Sequence, residues 1–128
     1  MKIFGVIHLK GLPGSTSNSL PLDEIIKLAQ NDIDTLTEDE VHGIIIENFG
    51  DAPFVKDNLS KRSLVSFTTV VSKLNIDQKL EIGINVLRND GLSALAIAEA
   101  TNADFVRINV LNNIMYTDQG IIEGKAYE

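Results

Sequence analysis
The sequence predicts an α/β protein whose strands run parallel, and three observations carry that expectation. Short apolar runs rich in β-branched residues alternate with stretches of helical spacing along the chain. The apolar runs end in polar side chains or polar loops. One phrase occurs twice: Ile84-Asn85-Val86-Leu87 before Arg88-Asn89-Asp90, and Ile108-Asn109-Val110-Leu111 before Asn112-Asn113. Between the copies, Leu92 to Ala100 reads as a buried helix. Strand, polar lip, helix, strand is the pattern of a parallel sheet, where chemistry gathers at the C-terminal ends of the strands.

The first strand is Ile3 to His8, a short apolar run suited to full burial. Gly11, Pro13, Gly14, Ser15, Ser17, Asn18 and Ser19 make the loop after it, because Gly and Pro punctuate and short polar side chains favour turns. Pro21 leads into a first helix. Leu22, Ile25, Ile26, Ala29, Ile33 and Leu36 fall on one face of it, and Asp23 and Glu24 sit in its first turn, where the helix dipole favours negative charge. The helix ends in the acidic, exposed Thr37-Glu38-Asp39-Glu40. His42-Gly43 turns the chain into the second strand, Ile44 to Glu47. A long loop, Asn48 to Leu59, follows. Ser60 to Leu74 is rich in Ser, Thr and Val, yet Leu64, Phe67, Val71 and Leu74 recur at helical spacing. Two consecutive parallel strands also require a crossover there, so it is a helix. The third strand is Leu80 to Leu87, Asp90 caps the third helix, and the fourth strand is Phe105 to Val110. Leu111 to Glu128 holds a loop and the first turn of a fourth helix. Long loops after the strands and short ones before them are what a (β/α) barrel shows.

The chain of 128 residues is one domain's worth of polypeptide, and a 44% apolar content dominated by Leu, Ile and Val is ordinary for a globular protein. The net charge of −7 argues against nucleic acid and against anionic membrane surfaces, both of which are bound through Lys and Arg. There is no cysteine, which excludes disulfide and thiolate chemistry. No apolar run approaches the ~20 residues of a membrane span, and the N-terminus turns polar too quickly for a signal peptide. The compartment expected is the cytoplasm. Zinc-type Cys/His spacing is absent and no metal site is expected. No dinucleotide fingerprint follows any strand, and the Gly11 to Ser19 loop is a weak phosphate-cradle candidate because it lacks the Gly-Lys-Ser/Thr ending of a P-loop, so the sequence leaves the cofactor unknown.

Alternation along the strands locates a site. With Ile44, Ile46, Ile82, Ile84, Val86, Val106, Ile108 and Val110 facing the helices, the opposite face receives Phe4, Val6 and His8, then Ile45 and Glu47. It also receives Gly83 and Asn85, then Phe105, Arg107 and Asn109. All four strands thus bring a polar residue to the end of one face: His8, Glu47, Asn85 and Asn109, with Arg107 one step deeper. Read singly, His8 is more simply a hydrogen-bonded core histidine, and Glu47 is equally a solvated strand end. Arg107 inside an otherwise apolar strand must be paired, with Glu47 or Asp118, or must hold an anion. Arg88-Asn89-Asp90 serves equally as helix capping.

Four segments resemble the BtpA/SgcQ family. They are Gly5 to Leu9 with Leu12 to Ser15; Glu47 to Phe54; Gly83 to Asp90 with Ala94 to Ala98; and Ala103 to Leu111 with Thr117 to Gly124. One departure is Gly91, where the family usually has alanine; glycine weakens the first turn of that helix slightly. The resemblance implies a (β/α)8 barrel of ~250 residues. This chain, a single unit over residues 1–128, would be a parallel (β/α) half-barrel, the first four strands of a TIM-barrel-like fold. One branch of the family is linked to photosystem I biogenesis near thylakoid membranes; another sits among sugar-transport genes and looks like an enzyme of unknown substrate.

With the matched segments included, Glu47 and His8 are the candidate catalytic pair. Asn48, Asp51, Asn85, Arg88, Asn89, Arg107, Asn109, Thr117 and Asp118 are the candidate ligand-binding residues. The expected function is an enzyme-like domain binding a small anionic ligand, such as a sugar or nucleoside phosphate, at the mouth of the strands. The alternatives are a non-catalytic assembly factor and an inactive truncated remnant. A half-barrel leaves two sheet edges and an inner face uncovered, so self-association, or a second chain supplying the missing half, is expected.

Overall fold
In a computed structural model, which describes residues 1–38 and 40–128, four parallel strands alternate with three helices. The strands are β1 (Phe4–His8), β2 (Gly43–Glu47), β3 (Glu81–Asn85) and β4 (Phe105–Arg107). They lie side by side in chain order, with the helices α1 (Leu22–Leu36), α2 (Lys61–Lys73) and α3 (Gly91–Thr101) as crossovers. This is an open half of a (β/α) barrel. The acidic end of α1 is exposed at Thr37, Glu38 and Glu40, while Asp39 lies outside the described residues.

The core is the layer between sheet and helices. Ile7, Ile44, Ile46 and Ile84 point outward from the strands onto Ile25, Ala29 and Ile33 of α1, Phe67, Val70 and Val71 of α2, and Ala94, Ile97 and Ala98 of α3. In α1 the buried residues recur every four positions, which keeps them on one stripe of a 3.6-residue helix. The Ser/Thr-rich α2 is capped by Ser60, whose hydroxyl oxygen accepts from the Ser63 amide at 3.0 Å. Thr68, Thr69 and Ser72 donate their hydroxyls to carbonyls four residues back, at 2.7–2.8 Å, so their polar groups are absorbed within the helix. Asp90 caps α3 through the Ser93 amide at 3.0 Å and also accepts from the Leu59 amide at 2.7 Å, tying the second loop to the third helix. On the far side of α3, Leu92 and Leu95 remain exposed, so this helix is apolar nearly all round.

Three features differ from the sequence expectation. β3 and β4 end at Asn85 and Arg107, earlier than the apolar runs suggest, because the chain beyond is held by side chains rather than by ladder hydrogen bonds. After β4 the chain forms an antiparallel hairpin, β5 (Ile114–Thr117) and β6 (Gly120–Glu123), where the first turn of a helix was expected. The reason is local: Ile-Met-Tyr-Thr and Ile-Ile are strand formers on either side of the two-residue turn Asp118-Gln119, and Gly120 takes the positive φ of 91° that follows it. Third, Arg107 is not a step deeper than its neighbours; it completes their row, as described next.

The inner face of the sheet is layered. Phe4 and Phe105 on the two edge strands meet edge to face, with centroids 5.5 Å apart. Gly43 and Gly83 on the strands between make this possible, since a Cβ on either would collide with one of the two rings. Aromatic rings therefore fill the N-terminal floor of the half-barrel, and the polar residues occupy the layer above.

Candidate functional site
The parallel register aligns His8 with Glu47, Glu47 with Asn85, and Asn85 with Arg107. One residue from each strand thus forms a single inward-facing row at the C-terminal ends. Glu47 is the centre of charge. Only 6% of it is exposed. Its Oε1 lies 2.8 Å from His8 Nε2, and its Oε2 lies 3.8 Å from an Arg107 guanidinium nitrogen. A buried carboxylate needs such partners, because an isolated charge out of water is costly. His8 and Arg107 are themselves half exposed, so both remain accessible from the cleft. Of the two partners open to Arg107, Glu47 is the one it takes. His8 is no core histidine: Nε2 faces the carboxylate, Nδ1 is left free of it, and the ring stacks on Phe49 at 4.3 Å.

Asn85 and Asn109 carry a directed chain of hydrogen bonds along the rim. Asn109 Nδ2 donates to the Arg88 carbonyl at 3.0 Å. That fixes Asn109 Oδ1 as the acceptor for Asn85 Nδ2 at 3.1 Å, while Asn85 Nδ2 also donates to the Arg107 carbonyl at 2.8 Å. Asn85 Oδ1 is buried and has no partner among the described residues. Flipping this amide would set carbonyl against carbonyl, so the orientation is determined by its neighbours.

Three further candidates are brought to the rim but spend their polar groups on the wall. Asn48 accepts from the Leu87 amide at 2.8 Å and donates to Asp51 at 3.0 Å, and Asp51 accepts from the Leu12 amide at 2.7 Å. These two side chains fasten together the loops after β1, β2 and β3. Asn89 grips Val110 at both backbone groups, at 2.8 Å and 3.0 Å. Arg88, Thr117 and Asp118 form a separate group where the hairpin tip reaches the third loop. Arg88 donates to Gln119 at 3.1 Å and to Asp118 at 3.3 Å, and its guanidinium lies 5.4 Å from the centroid of the Phe54 ring. The Gln119 side chain, foremost, holds the Asp118 carboxyl below its usual range against the opposing effect of desolvation, with smaller help from the backbone amide and the Arg88 guanidinium. Thr117 Oγ donates to the Gly120 carbonyl at 2.9 Å and so closes the turn.

Phe49, Phe54 and Gln119 belong to this rim and were not singled out from the sequence. The signal for Phe49 was present: a large aromatic in a polar loop, two residues after the strand-end glutamate. Among the described residues no group of three or more His, Asp or Glu is placed to hold a metal ion, and no helix is long and apolar enough to cross a membrane.

Fold and rim together define a parallel (β/α) half-barrel with a charged row at the C-terminal mouth. The chain belongs to the BtpA family, whose model matches residues 1–128. It is 45% identical over 126 residues to an uncharacterized protein of Thermococcus kodakarensis, covering 98% of this chain and 48% of that one. It is 44% identical to an uncharacterized protein of Methanocaldococcus jannaschii, with the same coverage. It is also 44% identical to a Synechocystis protein named photosystem I biogenesis protein BtpA, covering 98% of this chain and 44% of that one. The chain spans about half the length of the curated relatives it matches. No solved structure matches it.

Proposed function
We propose that this chain supplies half of a binding and acid–base site for a small anionic molecule, of the sugar-phosphate or nucleoside-phosphate kind. The observation that carries this reading is the single row of His8, Glu47, Asn85 and Arg107 at the mouth. Arg107 holds the anion, and Arg88 does so once the hairpin tip yields it. His8 exchanges protons through Nδ1, the nitrogen that Glu47 leaves free, and Glu47 orients the ring. Of the two residues expected to act as acid or base, the geometry favours His8. The site functions in the cytoplasm, and the −7 charge disfavours nucleic acid as the ligand.

In this reading the open edges of β1 and β4 are covered by self-association, by a second chain, or by further polypeptide of the kind that makes the relatives about twice as long. Size-exclusion chromatography with light scattering tests this; a clean monomer overturns self-association. For the ligand, thermal-shift screening with phosphorylated metabolites is the test. An anion at 100 times its Kd stabilises by about 2.7 kcal/mol, and Arg107→Gln removes most of that gain. No stabilisation by any anion overturns the reading. A second reading, a non-catalytic assembly factor, is favoured only by the name of the Synechocystis relative. A stable protein partner in a pull-down, with no anion binding, would establish it instead.

A further inference from the structure
Beside the charged row lies a set of aromatic rings outside the hydrophobic core. Phe49 sits in the short 3-10 turn Phe49–Asp51, immediately past the strand that carries Glu47. It is 51% exposed. Its ring lies within 16° of parallel to the His8 imidazole, at 4.3 Å. The Phe54 ring follows at 6.1 Å from Phe49, and the Arg88 guanidinium lies 5.4 Å from Phe54. A ledge of aromatic rings, Phe49 and Phe54 tilted 59° to one another, therefore runs from the proton-exchanging histidine to a cation.

We infer that this ledge is the ring-binding part of the same site. The ligand is then an anion attached to a ring with a flat apolar face, rather than a bare or acyclic anion. This rests on the anion-binding reading above and narrows it. Three features point the same way. A half-exposed phenylalanine next to buried polar groups is an apolar surface placed where a ligand body would lie. Its stacking partner is His8, itself half exposed, so a ligand ring lying along the open edges of the Phe49–His8 stack is next to the acid–base group. The far end of the ledge is a guanidinium, and Arg107 stands across the row, so a charged group has a partner on either side. A nucleobase and a pyranose both offer a face that stacks on aromatic carbon, and the two sources are separated by experiment.

The chain has no tryptophan, so Phe49→Trp creates a single fluorescent reporter on the ledge. Four probes are titrated by calorimetry and fluorescence: inorganic phosphate, glycerol phosphate, a hexose phosphate and a nucleoside monophosphate. One or both ring-bearing probes are expected to bind roughly tenfold more tightly than glycerol phosphate. Quenching of the reporter by the nucleotide alone identifies a nucleobase, and preference for the hexose phosphate identifies a sugar ring. Phe49→Ala is expected to abolish the tenfold preference and leave phosphate binding intact, with circular dichroism confirming an unchanged fold. If all four probes bind alike, or Phe49→Ala leaves the preference in place, the ledge is not a ring site, although the anion-binding reading stands. If no probe binds, both fail. If Phe49→Ala changes only the association state, the ledge is a protein contact and the inference is overturned.

Discussion

Asn89→Ala is the sharpest test of how the rim is built. Beyond Arg107 the fourth strand has no backbone partner in β3. Asn89 stands in for one: its Oδ1 accepts from the Val110 amide at 2.8 Å, and its Nδ2 donates to the Val110 carbonyl at 3.0 Å. Both residues are buried, with 6% of Asn89 and 5% of Val110 exposed. Alanine removes both hydrogen bonds and leaves an amide and a carbonyl without partners. Each unsatisfied buried group costs about 1–3 kcal/mol. Allowing water to reach one of them, the expected loss is about 2–4 kcal/mol, a large fraction of the 5–15 kcal/mol typical of a domain. Urea unfolding followed by circular dichroism measures it. With a slope of about 1–3 kcal/mol/M, the midpoint falls by roughly 1–2 M at constant slope. Asn31→Ala, at an exposed position on α1, is the control and should stay within about 0.5 kcal/mol. A change at Asn89 no larger than the control's refutes the idea that this amide continues the sheet.

Glu47→Gln removes the negative charge from between His8 and Arg107, so phosphate affinity should rise several-fold by calorimetry while His8-dependent proton transfer falls; an unchanged affinity would show that Glu47 does not compete for Arg107. The lowered Asp118 pKa gives the hairpin latch a pH dependence of definite sign. A depressed carboxyl favours the latched form above the ordinary value of 3.8, and that preference disappears as pH falls through the folded value. Protection of the β5 and β6 amides, measured relative to their intrinsic exchange rates, should therefore fall in acid, and Asp118→Asn should remove the dependence. Lys125, raised chiefly by its hydrogen bond to Asp57 and then by that to Glu128, behaves oppositely. Its contribution is present below its ordinary value of 10.5 and is lost as pH rises through the folded value, so the C-terminal residues should loosen only in strong alkali. Gly91→Ala should raise stability by about 0.5 kcal/mol through the unfolded state, because the new Cβ meets only the flexible tip of Ile108, at 3.1 Å; destabilisation by thermal melt would show that Ile108 cannot yield.

Much of this architecture was legible because it rests on alternation and period. Ile44, Ile46 and Ile84 face the helices because strands alternate, and the same rule sent His8, Glu47 and Asn85 inward. What alternation cannot supply is register. Whether Arg107 or Asn109 stands level with Asn85 depends on how far β4 slides along β3, and only the ladder decides it. The hairpin was missed for a different reason. Parallel sheets lead one to expect a helix after β4, and that expectation outweighed the local strand propensity of Ile114 to Thr117. Asn48, Asp51 and Asn89 were legible as rim residues, but their partners are backbone groups on neighbouring loops, which no spacing rule reveals.

Asparagine does two different jobs at this mouth, and the difference bears on how much of the site one half-barrel can hold. Asn85 and Asn109 bond to each other and to the Arg107 and Arg88 carbonyls within the rim; Asn48 and Asn89 grip the next strand beyond its end. Between β1 and β2 the same extension is made by backbone, where the Leu9 amide donates to the Glu47 carbonyl at 2.9 Å and the Gly50 amide donates to Leu9 at 2.8 Å. Every joint between neighbouring strands is thus fastened past its ladder, and every fastening lies within this chain. The spacing of His8, Glu47, Asn85 and Arg107 follows from these joints and not from whatever covers the open edges. A covering partner would therefore add walls to a row already held in place, and preorganised donors and acceptors keep most of their value before the cleft is closed. It follows that Arg107 and Phe49 variants should alter ligand binding by similar factors whether the half-barrel is measured alone or with its edges covered, even where the absolute affinity differs.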